Sequence, residues 1–95
     1  MHMFVFSARF HIFLPTDSLK GKRGIVKSII ARARQNFNVA AAEVDLQDVH
    51  GETVIAFVTV GENRSRVRHL LERLEEWIAE ERPDVEIVAS LIEEC

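Results

Sequence analysis

Alternation of apolar and polar positions is the first feature of the chain. From Met3 to Leu14 the even positions read Phe4, Phe6, Ala8, Phe10, Ile12 and Leu14, with Ser7, Arg9 and His11 between them. A period of two describes a strand with one buried face, and Pro15 ends it because proline supplies no backbone N–H. The period then changes. Val26, Ile29, Ile30, Ala33 and Phe37 recur at helical spacing, with Leu19 on the same side and Thr16, Asp17 and Ser18 ahead of them as candidate N-caps. The spacing predicts a helix over residues 18–36.

Asn38 suits the end of that helix. The stretch 39–47 then reads as a strand with Ala40, Ala42, Val44 and Leu46 on one face and Glu43, Asp45 and Gln47 on the other. Asp48 to Gly51 carry turn chemistry, with Gly51 suited to a positive φ. Residues 53–60 are rich in β-branched side chains and apolar on both faces, as a central strand should be. After Gly61 and Glu62, Asn63 is placed to cap a second helix whose apolar face is Val67, Leu70, Leu71, Leu74, Trp77 and Ile78, ending near Arg82. Pro83 and Asp84 interrupt it, and 85–92 alternates Val85, Ile87, Ala89 and Leu91 as a last strand.

The order βαββαβ predicts an α+β ferredoxin-like plait: a four-stranded antiparallel sheet in the order 4-1-3-2, with two antiparallel helices on one face and the other face open. A chain of 95 residues holds one such domain, 1–95. Its 47% hydrophobic and 28% charged residues are ordinary for a globular protein. Cys95 is the single cysteine, so no intrachain disulfide forms. The apolar run Met1–Phe6 lacks the basic start and cleavage site of a signal peptide, and no run reaches the roughly 20 apolar residues of a membrane span. The expected location is the cytoplasm.

Charge changes this picture. A formal net charge of −3 conceals two unlike halves. Residues 1–42 hold seven basic side chains (Arg9, Lys20, Lys22, Arg23, Lys27, Arg32, Arg34) against Asp17 alone, whereas 43–95 hold five basic against fourteen acidic. Ser18, Lys20, Lys22 and Arg23 gather at the start of the first helix, where free N–H groups and the macrodipole favour an anion. At 100° per residue, Lys20, Arg23, Lys27 and Arg34 share an arc of about 60°. That stripe is either a polyanion site or is neutralised internally, because antiparallel helices bring Glu75, Glu76, Glu80 and Glu81 toward it; turned inward, Lys27 would meet Glu72 or Glu75. A second basic end is expected where Arg32 and Arg34 approach Arg64, Arg66 and Arg68.

The open sheet face is expected to show Arg9, His11, Glu43, Asp45 and Gln47. Segment 51–58 lacks the repeated aromatics of an RNA-recognition motif. If Ile55 and Phe57 faced outward with Val5 and Phe13, the apolar patch would suit a homodimer. Glu43 and Asp45 could reach a cation together, but no second ligand cluster accompanies them. Cys95 has no base beside it, and no triad or nucleotide loop occurs. The expectation is a protein without catalytic residues, metal or cofactor.

Ser18-Leu19-Lys20-Gly21-Lys22-Arg23 leading into a helix, followed by Phe37-Asn38-Val39 and Ala42-Glu43-Val44-Asp45-Leu46-Gln47-Asp48, resembles the YlxP-like bacterial family, a domain of unknown function. The resemblance spans almost the whole chain. It implies a ferredoxin-like fold and genes often found among translation and ribosome-maturation factors, with no established activity. Gly21 departs from it, standing where an acidic residue would complete a capping box with Ser18. The resulting expectation is an accessory protein that holds structured ribosomal RNA, or a ribosomal particle, through Ser18, Lys20, Lys22, Arg23, Lys27 and Arg34. The alternative is a homo-oligomeric interaction module using the open sheet face or an edge strand.

Overall fold

The computed structural model of the protein describes residues 1–95. Its elements are β1 (Phe4–Phe13), α1 (Leu19–Asn36), β2 (Ala40–Asp45), β3 (Glu52–Gly61), α2 (Arg64–Glu81) and β4 (Glu86–Glu94). All neighbouring strands are antiparallel, and the sheet order β2-β3-β1-β4 is the predicted order counted from the other edge. No helix is long and apolar enough to cross a membrane.

The core lies between the sheet and the two helices, and the periods read from the sequence put it there. Phe6, Ala8, Phe10 and Ile12 of β1 are buried, as are Ile55 and Phe57 of β3. The rings of Phe10 and Phe57 meet with centroids 5.6 Å apart. From above, α1 contributes Val26, Ile29 and Ala33, and α2 contributes Val67, Leu71, Leu74 and Ile78. Phe37 and Trp77, edge to face at 5.5 Å, pack the end of α1 against α2.

Two expectations about facing are corrected, those for β2 and β4, and the condition of outward Ile55 and Phe57 is not met. Ile55 and Phe57 point into the core, so the open face instead receives Val54, Ala56, Val58 and Val60 from β3. In β2 the parity is inverted at its start: Ala41 and Glu43 stand opposite the inward Phe57 and Ile55, while Ala40 and Ala42 face outward. Three consecutive alanines give the strand no burial preference of their own, so the polar partners of Glu43 set its facing. A bulge at Val44 then returns Asp45 to the outer face, opposite Val54. A second irregularity at Val88 does the same in β4: Ile87 pairs with Ile12 on the inner face, but Ala89 and Leu91 pair with His11 and Arg9 on the outer one.

The β2–β3 connection also differs from a tight glycine hairpin. Its positive φ belongs to Leu46, at 60°, and no glycine has one. Gln47 lies in this connection, beyond the end of β2.

Candidate nucleic-acid interface

Ser18 caps α1 by accepting a hydrogen bond from Gly21 N at 3.0 Å, and Thr16 Oγ1 accepts one from Ser18 N at 3.3 Å. A Cβ at position 21 would overlap both hydroxyls, which accounts for glycine where a capping box would place a carboxylate. The first turn of α1 therefore carries no acidic residue.

One turn further on, Lys22 is fully buried. Its ammonium donates to the carbonyls of Leu46, Gln47 (3.1 Å) and Val49 (2.6 Å), and Glu43 Oε2 lies 3.1 Å away. Glu43 is fixed in turn by the Thr53 hydroxyl, which donates to Oε2 at 2.6 Å. Leu14 N donates to Gly51 O at 2.9 Å, and His50 Nδ1 reaches Asp17 O at 2.9 Å, so the β2–β3 connection is tied to the start of α1 through Lys22 and His50 and to the end of β1 through Leu14. Lys22 is thereby removed from the expected phosphate-binding set, and Glu43 from the open face. Glu43 and Asp45 lie on opposite faces and cannot share a cation.

A signal for this was in the sequence. Lys22 precedes Val26 and Ile29 by four and seven residues, which places it on the buried stripe. A fully buried lysine needs oxygen partners, and Glu43 is the charged one.

The rest of the basic stripe behaves differently. Lys20, Arg23, Lys27 and Arg34 are exposed, and none of them forms an ion pair. Their direction follows from the residues that face α2: Ser28, Ile29 and Arg32 line a small cleft with Trp77, Ile78 and Glu81. On a helical wheel Arg32 lies roughly 180° from Arg23, so the stripe is on the flank turned away from α2. Among the glutamates expected to neutralise it, Glu81 pairs with Arg32 instead, and Glu75, Glu76 and Glu80 pair with no residue of α1. Beside the start of α1, a shallow depression lined by Ser18, Lys20, Gly21, Gly24 and Ile25 ends on Arg82, a further cation. Asp84 holds Arg82 through two hydrogen bonds at 2.9 and 2.7 Å. These bonds raise the arginine's pKa and lower that of Asp84 below the usual carboxylate value.

The expected second basic end is largely dispersed. Arg32 is engaged at the far end of α2 by Glu81, Arg64 pairs with Glu94 at 3.1 Å and lies over the Phe4 ring, and Arg68 pairs with Glu72 at 3.9 Å. Of that group, Arg34 and Arg66 are without an ion pair. On the open face Arg9 pairs with Glu93 at 3.7 Å and His11 with Glu52 at 2.8 Å, while Asp45 Oδ1 accepts from Leu46 N. Gln47 contributes its backbone carbonyl to Lys22 rather than a side chain to the sheet.

Fold and surface together define a small ferredoxin-like α+β domain with one uncompensated basic flank. Residues 5–92 match the family described as "Protein of unknown function (DUF503)", and the chain belongs to it. It is 31% identical over 75 residues, 79% of this chain and 80% of the relative, to the "Uncharacterized protein YlxP" of Bacillus subtilis (strain 168). Among solved structures it is similar to "De novo designed protein Foldit4", with 14% identity, 99% of this chain and 97% of the other covered, and a TM-score of 0.53; that likeness concerns the fold alone.

Proposed function

We propose that the protein binds structured RNA through the outer flank of α1, using phosphate contacts from Lys20, Arg23, Lys27 and Arg34, and performs no chemistry of its own. One observation carries the reading: Arg23 and Lys27, four residues apart on an exposed face, are like charges that no carboxylate of the chain offsets. Such a pair costs a helix a few tenths of a kcal/mol. An external polyanion supplies the missing counter-charge. From Lys20 to Arg34 the stripe spans about 21 Å of helix, enough to meet several phosphates. The genomic company implied by the resemblance to the YlxP-like family points this polyanion toward ribosomal RNA. Recognition through phosphates reads the shape of an RNA rather than its sequence.

The test is fluorescence anisotropy with a labelled stem-loop of ribosomal RNA across a salt series. Binding through four phosphate contacts gives a log–log salt slope of about −3. Replacing Lys20, Arg23 and Lys27 together by alanine should flatten that slope by about 2 and weaken binding by at least tenfold. Affinity that ignores salt, or that survives the triple substitution unchanged, rejects the reading.

A further inference from the structure

We propose that the open face of the sheet is a docking surface for an amphipathic basic helix of another protein. The face is apolar along β3, where a solvent-exposed strand is normally polar, whereas the middle of β1 shows Ser7, Arg9 and His11. By register it displays Val5 and Phe13 of β1, Ala56, Val58 and Val60 of β3, and Leu91 of β4. Val58, Val60, Phe13 and Leu91 are each 40–47% exposed. Apolar side chains grouped on one face, unlike isolated surface leucines, mark an interaction surface.

Charge selects the occupant. Asp45, Glu52, Glu86 and Glu93 stand at the edges and ends of this face, and Arg9 and His11 stand in its middle on β1. Arg9 is already paired with Glu93 and His11 with Glu52, so Asp45 and Glu86 keep carboxylates that no cation of the chain meets. A nucleic acid is disfavoured by that rim and by the lack of stacking aromatics beyond Phe13. A second copy would bring two faces of the same sign together. A helix with an apolar stripe between rows of lysine or arginine satisfies both components, and it would complete the sheet's uncovered side as a third layer. The basic flank of α1 lies on the helical side of the molecule, so the two surfaces can be occupied independently.

The experiment titrates the isotope-labelled protein with a synthetic peptide of about 18 residues, long enough for a stable amphipathic stripe, with leucines at helical spacing and lysines on both flanks. The control peptide carries glutamate in place of lysine. Amide shifts confined to the open-face residues of β1, β3 and β4, saturating with the lysine peptide and absent with the glutamate peptide, are expected. Val58→Ser with Leu91→Ser should weaken binding about tenfold or more. Should that pair alter the thermal melt, Glu86→Lys tests the rim without touching the strip and should weaken binding by about threefold. The lysine peptide must also bind unchanged when Lys20, Arg23 and Lys27 are alanine, which separates this surface from the RNA-binding flank. Shifts elsewhere, equal binding of the glutamate peptide, displacement of the peptide by an RNA stem-loop, or open-face shifts that depend on protein concentration alone would each overturn the proposal.

Discussion

The two βαβ halves of the plait can be laid over each other by their N-caps, Ser18 and Asn63, which start helices of 18 residues each. Every buried position of α1 then has a buried counterpart in α2: Val26 with Leu71, Ile29 with Leu74, Ala33 with Ile78, and Lys22 with Val67. The outer flanks also correspond, with Arg23 and Lys27 at the places of Arg68 and Glu72. In α2 the inward position is apolar and the outward pair is compensated at 3.9 Å. In α1 the inward position holds a cation surrounded by oxygen, and the outward pair is left with two positive charges. Charge has been placed inside and outside the same helix, and the chain satisfies the inner Lys22 but not the outward pair Arg23 and Lys27.

The largest effects should come from the inner position. Lys22→Ala leaves the Glu43 carboxylate and three carbonyls without their common donor, and losing one partner of a buried ion pair costs about 3–5 kcal/mol. Val67→Ala removes two methyl groups from the equivalent place and should cost about 2 kcal/mol. Urea denaturation of both variants ranks them, and a Val67 loss as large as that at Lys22 would show that the carbonyl cage contributes little. Glu43→Gln should cost no more than the Val67 variant, at about 1–2 kcal/mol, because the amide oxygen still accepts from Lys22 and Thr53 while the charge is lost.

The comparison also shows what was legible in the sequence. Helix spacing and strand alternation specify element order, both caps and nearly all of the core, because burial of a whole face repeats over many residues. Facing within β2 and the second half of β4 was not legible. Ala40, Ala41 and Ala42 carry no preference, and a single extra residue at Val44 or Val88 reverses every later side chain. The site was legible in part. The outward stripe follows from helical geometry, but residue type overruled position at Lys22, where the stripe of Val26 and Ile29 already indicated burial. The neutralising role given to the α2 glutamates failed for a related reason: helical phase, not nearness of helix ends, decides which of them faces α1, and only Glu81 does so with a partner.

A smaller effect should follow from making the outer flanks alike. Lys27→Glu recreates on α1 the arrangement of Arg68 and Glu72, so the helix should gain about 0.3–0.5 kcal/mol while RNA affinity falls. Opposite signs of change in stability and binding are the point of this variant. A thermal melt and an anisotropy titration on the same preparation check it, and a loss in both would mean that Lys27 has a structural task on this flank.

The smallest effect concerns the junction where α2 ends beside the start of α1. Arg82 holds Asp84 below its ordinary carboxylate pKa of 3.8, so this interaction stabilises the fold above that value and is lost as the pH falls through the lowered one. Asp84→Asn should therefore cost less than about 1 kcal/mol at neutral pH, as expected for an exposed pair. The difference between variant and parent should disappear toward pH 2. The same substitution releases Arg82 into the depression beside Ser18 and Lys20, adding a free cation to the one end of α1 where a carboxylate held it. RNA affinity at neutral pH should then rise by about twofold and become steeper with salt. An affinity that falls instead would mean that the Arg82–Asp84 pair shapes the start of α1, and the basic flank would have to be redrawn without that end.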